Sequence, residues 1–217
     1  MENFNRVILC GQVITAPAFS HTNHGVSFVR FTLQIPRLSG WNDELTVIVP
    51  QEQFAHFSPA TGDTVTLVGQ LRSFNNKSGE GSRLVISVFA RELVAGGDTP
   101  INEIQLSGIL CKPPTLRRTP LGREICDMIL AVNRHYGRAD YLPCIAWGAV
   151  AQQVAAMHTG DRLTFTGRIQ SRTYTKNLGG GHSIQRTAYE VSIMHPSAPE
   201  DFSPMDHPFS SSLFPAH

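Results

Sequence analysis

The chain is written twice. The run NRVILCGQV beginning at Asn5 returns as NEIQLSGIL at Asn102, an offset of 97. The same offset carries Gly11 to Gly108, Pro17 to Pro114, Arg37 to Arg134 and Asp43 to Asp140. Further on it becomes 98, taking Gly62-Asp63 to Gly160-Asp161 and Gly69 to Gly167, which a single insertion in the connecting segment explains. A period this long in only two copies excludes a solenoid and predicts two tandem domains of one fold. The Gly/Pro stretch at 96–100 is the linker. The expected domains are therefore 1–95 and 101–194, followed by a tail at 195–217.

Within each copy, apolar and polar residues alternate with period two over short runs, the mark of half-buried strands. In the first copy these runs fall at about 5–14, 26–36, 44–50, 64–74 and 83–93. A weakly helical segment, 51–60, follows the third run, and its counterpart at 149–157 is a better helix. Five strands with a helix after strand three describe the OB-fold, a small Greek-key barrel, with a sandwich of similar strand count as the alternative. The expected fold class is all-β: two tandem OB-fold barrels, each with a short helix after strand three. The Pro-, Ser- and His-rich C-terminal tail is expected to be disordered.

Hydrophobic residues make up 41% and charged residues 16% of the chain, enough apolar matter for a core. No run approaches the ~20 apolar residues of a membrane span, and no cationic leader precedes the first copy, so a soluble cytoplasmic protein without a membrane partner is expected. Cys10, Cys111, Cys126 and Cys144 lie far apart with no C-x-x-C pair, and read as small buried hydrophobes rather than zinc ligands. His21 and His24 read as loop. No Ser/His/Asp order, carboxylate pair or metal spacing falls at matched positions, so no catalysis, metal or cofactor is expected. The net charge of +1 hides a partition. Residues 1–95 hold seven Lys and Arg against seven Asp and Glu, whereas residues 101–194 hold eleven against six. Charge asymmetry of this kind marks the second copy as the one that meets a polyanion.

Each copy sets the register of the other. In strand three of the first copy Leu45, Val47 and Val49 are the apolar set, and the offset maps them onto Leu142, Cys144 and Ala146. Because a one-residue slip would turn every side chain over, Tyr141 and Trp147 are expected to face outward together. In strand four, Val65, Leu67, Gly69 and Leu71 match Leu163, Phe165, Gly167 and Ile169 as the buried set. Arg162, Arg168, Arg172 and Tyr174 are left on the open face. Flat rings beside arginines suit single-stranded nucleic acid, with bases on the rings and phosphates on the arginines. Arg117, Arg118 and Arg123, in the strand one–two loop, extend the site, as do Arg134 and Lys176. A long glycine-rich hairpin at 176–186 is expected to be flexible enough to close over a strand. Trp41, Arg72, Phe74 and Arg186 supply further rings and charges. At the positions of Tyr141, Trp147 and Tyr174 the first copy carries Glu44, Pro50 and Asn76, so it is expected to bind more weakly or to serve in dimerisation.

Three stretches of the second copy, TPLGREICDMILAVNR at 119–134, YLPCIAWG at 141–148 and GDRLTFTGRIQSRTY at 160–174, resemble the bacterial single-stranded DNA-binding protein (SSB) family in order and spacing. The resemblance covers nearly all of 102–194. The first copy is similar more faintly, through NRVILCGQV, FVRFTLQIPR and GDTVTLVGQLRS. The related primosomal replication protein N shares the fold and many of these positions. The resemblance implies sequence-tolerant binding of single-stranded DNA in replication, recombination or repair, with stacking aromatics at Tyr141, Trp147 and Tyr174. Since the family's tetramers present four OB-folds, it also implies a homodimer of this chain. An alternative is a primosome-type accessory protein whose OB surface binds proteins as well as DNA. Family tails end in an acidic tip finishing in phenylalanine that recruits replication proteins; MDHPF at 205–209 resembles it, although eight residues follow and only Asp206 is acidic.

Overall fold

A computed structural model describes residues 4–76, 83–134, 137–179 and 182–197. The first copy forms β1 (Asn5–Val13), β2 (Ala18–Asn23), β3 (Val26–Pro36), β4 (Asn42–Pro50), α1 (Gln51–Ala55), β5 (Thr64–Asn75) and β6 (Leu84–Ala95). The second forms β7 (Ile101–Leu110), β8 (Thr115–Arg118), β9 (Glu124–Asn133), β10 (Ala139–Trp147), α2 (Gly148–Ala155), β11 (Arg162–Gly179) and β12 (His182–Pro196). The strands join in the order β2-β3-β4-β6-β5-β1-β7-β11-β12-β10-β9-β8, and the extra pairings β3–β1 and β7–β9 close two barrels. In each, the strand before the helix runs parallel to the last strand, Val47 opposite Val88 and Cys144 opposite Val191. The two tandem OB-folds expected from the repeat are the fold.

Two strands, β2 and β8, are additional to the five expected per copy. Their residues are almost all exposed. They pair along one edge of β3 and β9 without meeting a core, so no alternation of apolar residues marks them in the sequence. Each barrel is filled from the faces expected from the matched registers. Leu9, Phe31 and Leu67 close the first, and Leu106, Leu130 and Phe165 the second, all at most 2% exposed. Burying such side chains contributes about 1.5–3 kcal/mol each. Cys10, Cys126 and Cys144 are buried as expected, but Cys111, just past the end of β7, is exposed.

The repeated glycines answer to sterics. A Cβ on Gly69 would stand 2.3 Å from the Phe89 carbonyl oxygen, and one on Gly167 would stand 2.3 Å from that of Ser192. Both sit at bulges, where β5 and β11 shift register against their hairpin partners.

The barrels share one sheet because β1 pairs antiparallel with β7, and Val7 lies opposite its own copy, Ile104. A pseudo-two-fold axis therefore passes through that pair. Asn5 and Asn102 are each sewn to the neighbouring strand at two points. The Asn5 amide donates to the Leu71 carbonyl (2.8 Å) and accepts from the Leu71 N–H (2.9 Å). Asn102 does the same to Ile169 at 2.8 and 3.0 Å.

The long hairpin differs from expectation. Pairing of β11 with β12 runs out to Gly179 opposite His182, so most of 176–186 is ladder rather than loop. β12 also continues into the expected tail: His195 pairs with Thr166, Pro196 with Phe165, and the Ser197 N–H donates to the Thr164 carbonyl at 2.9 Å. Residues 198–217, on which the rest of the expected disordered tail falls, lie outside the described residues, as do residues 180 and 181 of the expected hairpin. Among the described residues no helix is long and apolar enough to cross a membrane.

Candidate nucleic-acid interface

β10 carries Leu142, Cys144 and Ala146 inward and Tyr141 and Trp147 outward, the rings being 51% and 38% exposed. Ile145, on the outward side, is nevertheless buried, with Asp127 of β9 and Ser192 of β12 beside it. On β11, Leu163, Phe165 and Ile169 point into the barrel and Tyr174 stands 40% exposed. β12 lies between β11 and β10, and β9 and β8 lie beyond. Tyr174 is opposite Arg186, Arg172 opposite Ala188, and Arg168 opposite Ser192, which in turn neighbours Ile145. On the far side Tyr141 is opposite Ala131, and Trp147 opposite Ile125. The three rings and the arginines of β11 and β12 thus belong to one five-stranded face. A groove of about 560 Å³ runs beside Trp147, lined also by Arg123, Glu124, Val150, Arg168 and Met194.

The other expected residues fall into distinct settings. Arg117 and Arg118 are not in a loop but on β8, where Arg117 is bonded to Asp127 and Arg118 donates to Glu124 at 3.1 Å. Arg123 follows the Gly122 turn and is exposed. Arg162 reaches the Ser107 hydroxyl at 3.2 Å, at the end of β11 that pairs with β7. Arg134 is drawn away from the open face: its guanidinium is paired with buried Asp140 and donates to the Ser73 carbonyl at 3.0 Å. Arg72, on the first barrel, donates to the same carboxylate at 3.2 Å, and its guanidinium also lies 5.9 Å from the centre of the Phe89 ring. Trp41 and Phe74 are 74% and 53% exposed. The Lys176 side chain lies outside the described residues.

Two acids on this face are not singled out by the sequence pattern. Glu190 lies opposite Gln170 on β12, and Asp127 opposite Ile145 on β9. Burial pushes the Glu190 carboxyl above the ordinary carboxylate range; Asp127 adds to that, while Arg172, Arg117 and Arg37 pull it down. Asn177 pairs with Ser183, and counting back along the two strands from there brings 170 opposite 190, so the hairpin register would have found it. Among the described residues no group of three or more His, Cys, Asp or Glu side chains is placed to hold a metal ion.

Comparison with known proteins bears on the family and the fold. The family model described as single-strand binding protein family matches residues 101–196, the second barrel. The single-stranded DNA-binding protein of Halalkalibacterium halodurans is 36% identical over 86 residues, covering 36% of this chain and 51% of that protein. Single-stranded DNA-binding protein B of Bacillus subtilis is 35% identical over 85 residues, covering 36% of this chain and 75% of that protein. The chain spans about half the length of the first curated relatives it matches. These relatives are named as DNA-binding proteins, not as enzymes. The crystal structure of the wild-type single-stranded DNA binding protein from Thermus aquaticus superposes with a TM-score of 0.74 at 21% identity, over 92% of this chain and 94% of that one. That likeness extends the shared fold to both barrels. With family motifs, a matching fold and a relative covered over three quarters of its length, the chain belongs to the single-strand binding protein family.

Proposed function

We propose that the chain binds single-stranded DNA with little sequence preference, chiefly through the barrel at 101–194. Bases stack on Tyr141, Trp147 and Tyr174, and phosphates lie against Arg168, Arg172, Arg186 and Arg123. The observation that carries the reading is the set of three exposed rings on one face with those arginines. Stacking on an open ring contributes about 1–3 kcal/mol per base and accepts any base. The arginines add a term that releases counterions and so weakens with salt. That the relatives are single-stranded DNA-binding proteins favours DNA over a protein partner as the ligand.

In this reading the process served is replication, recombination or repair, and the barrel at 1–95 adds at most Arg72, Phe74 and Trp41 to the contact. The chain acts as a homodimer, bringing four OB-folds together. Trp41 and Trp147 are the chain's two tryptophans, so Trp41→Phe leaves Trp147 as the reporter. Oligo(dT) at low salt should quench it, and added salt should release the strand. Absence of both quenching and a complex at low salt overturns the DNA reading, and a solution mass of one chain overturns the homodimer.

A further inference from the structure

Asp43 and Asp140 repeat at the same offset as the first glycines, and both are 0% exposed. A carboxylate survives burial only where charges and hydrogen bonds satisfy it. Much of that satisfaction comes from the opposite barrel. Asp140, on β10, is paired with Arg134 of its own barrel, but it also accepts from Arg72 and from the Ser73 N–H, both on β5 of the first barrel. Arg134 donates to the Ser73 carbonyl at 3.0 Å, and the Ser73 hydroxyl accepts the Tyr141 N–H at 2.7 Å. The mirror image holds at Ser171, the copy of Ser73. Asp43 is paired with Arg37 and accepts the Ser171 N–H at 2.7 Å. Arg37 donates to the Ser171 carbonyl at 2.9 Å, and the Ser171 hydroxyl accepts the Glu44 N–H at 2.9 Å.

We propose that this reciprocal clasp is how the first barrel positions the rings of the second: Ser73 sets β10 at Tyr141, and Asp43 with Arg37 sets β11 at Ser171. The proposal rests on the stacking role given to Tyr141 above. Tyr141 and Tyr174 stand on β10 and β11, strands that do not pair with each other because β12 lies between them. Their spacing therefore depends on where each strand is held. β11 leaves β7 after Gly167; beyond that point its second edge has no strand partner, and side chains take its place: Asn102 holds the Ile169 N–H and C=O, and Asp43 and Arg37 hold those of Ser171. β5 leaves β1 after Gly69 in the same way: Asn5 holds Leu71, and Asp140 and Arg134 hold the backbone of Ser73. An unpaired edge is a place where a strand can shift, and charged-group hydrogen bonds to its backbone fix it. The first barrel thus acts as a frame, and Ser73 is a positioning residue that need never touch DNA.

A double-mutant cycle in the full chain tests this. Oligo(dT) affinity is measured for wild type, Ser73→Ala, Tyr141→Ala and the double variant, with melting followed in parallel. Loss of one partly buried hydrogen bond to the Tyr141 backbone should weaken binding roughly threefold to tenfold. The salt dependence should not change, because no phosphate contact is lost. In the Tyr141→Ala background the Ser73→Ala effect should vanish. Unchanged affinity in Ser73→Ala, or an equal loss in both backgrounds, overturns the positioning role while leaving the stacking reading intact. If instead Tyr141→Ala binds as tightly as wild type, the stacking role falls and takes this proposal with it. Should Ser73→Ala melt too low to titrate, Ser73→Cys, which fills the same space with a poor acceptor, replaces it in the cycle, and the same outcomes support or overturn the proposal.

Discussion

The two barrels are one fold carrying two different surfaces. Everything that builds the barrel occurs in both: the close-packed glycines Gly69 and Gly167, the sewing residues Asn5 and Asn102, and the buried Asp43 and Asp140. The open face is not shared. Where the second barrel has Tyr141, Trp147 and Tyr174, the first has Glu44, Pro50 and Asn76. Residues that satisfy backbone groups or fill the core have few substitutes, whereas an exposed position can change without cost to the fold. The comparison therefore separates what makes an OB-fold from the surface to which the proposed function assigns the ligand.

The sharpest way to break the comparison is to erase the face that differs. Replacing Tyr141, Trp147 and Tyr174 together by Ala should remove about 3–9 kcal/mol of oligo(dT) binding, a loss of at least about a hundredfold. Replacing Glu44, Pro50 and Asn76 by Ala should leave affinity almost unchanged. Anisotropy titrations at low salt compare the two triple variants; equal losses would mean the barrels share the work.

The next effect falls on stability. Asp140→Ala leaves Arg134 and Arg72 without their carboxylate and should cost about 3–5 kcal/mol in urea unfolding, the usual penalty for orphaning a buried charge. Asp43→Ala orphans Arg37 and should cost less. The reverse order would show that Arg72 contributes nothing to the clasp.

Smaller again are the glycines. Gly69→Ala and Gly167→Ala each drive a methyl into a carbonyl oxygen and should destabilise by about 1–3 kcal/mol. Similar melting shifts for both are expected, because this device is common to the two barrels.

The smallest effect concerns the acid on the basic face. Glu190→Gln should tighten oligo(dT) binding about threefold at neutral pH, by removing a negative charge beside Arg172. Burial raises the carboxyl's pKa, so the folded chain holds that proton more tightly than the unfolded chain does. Stability from this group is present at low pH and is lost as pH rises from the ordinary carboxylate value through the raised one. The advantage of the Gln variant in binding should accordingly disappear as pH falls through the same window. A flat difference across pH would mean that Glu190 does not titrate on this face.

Much of this is legible in the chain itself. Matching the copies recovers the ten principal strands, the inward faces of β4, β5, β10 and β11, and the outward Tyr141, Trp147 and Tyr174. Alternation and a fixed offset are local properties, and burial of one face enforces them. β2 and β8 are invisible for the converse reason: with no buried face they leave no pattern.

What the sequence determined by itself is the repeat, the barrel it specifies and the face on which rings and arginines collect, because each follows from the spacing of residues within one copy. What only the tertiary structure decided is the relation between copies. By spacing alone Arg134 is one more phosphate ligand, and nothing marks its twin Arg37 for any role. Both prove to hold aspartates that reach across to Ser73 and Ser171. The contacts of the clasp join residues from 61 to 134 positions apart, where no periodicity connects them. Only the antiparallel pairing of β1 with β7 brings them together.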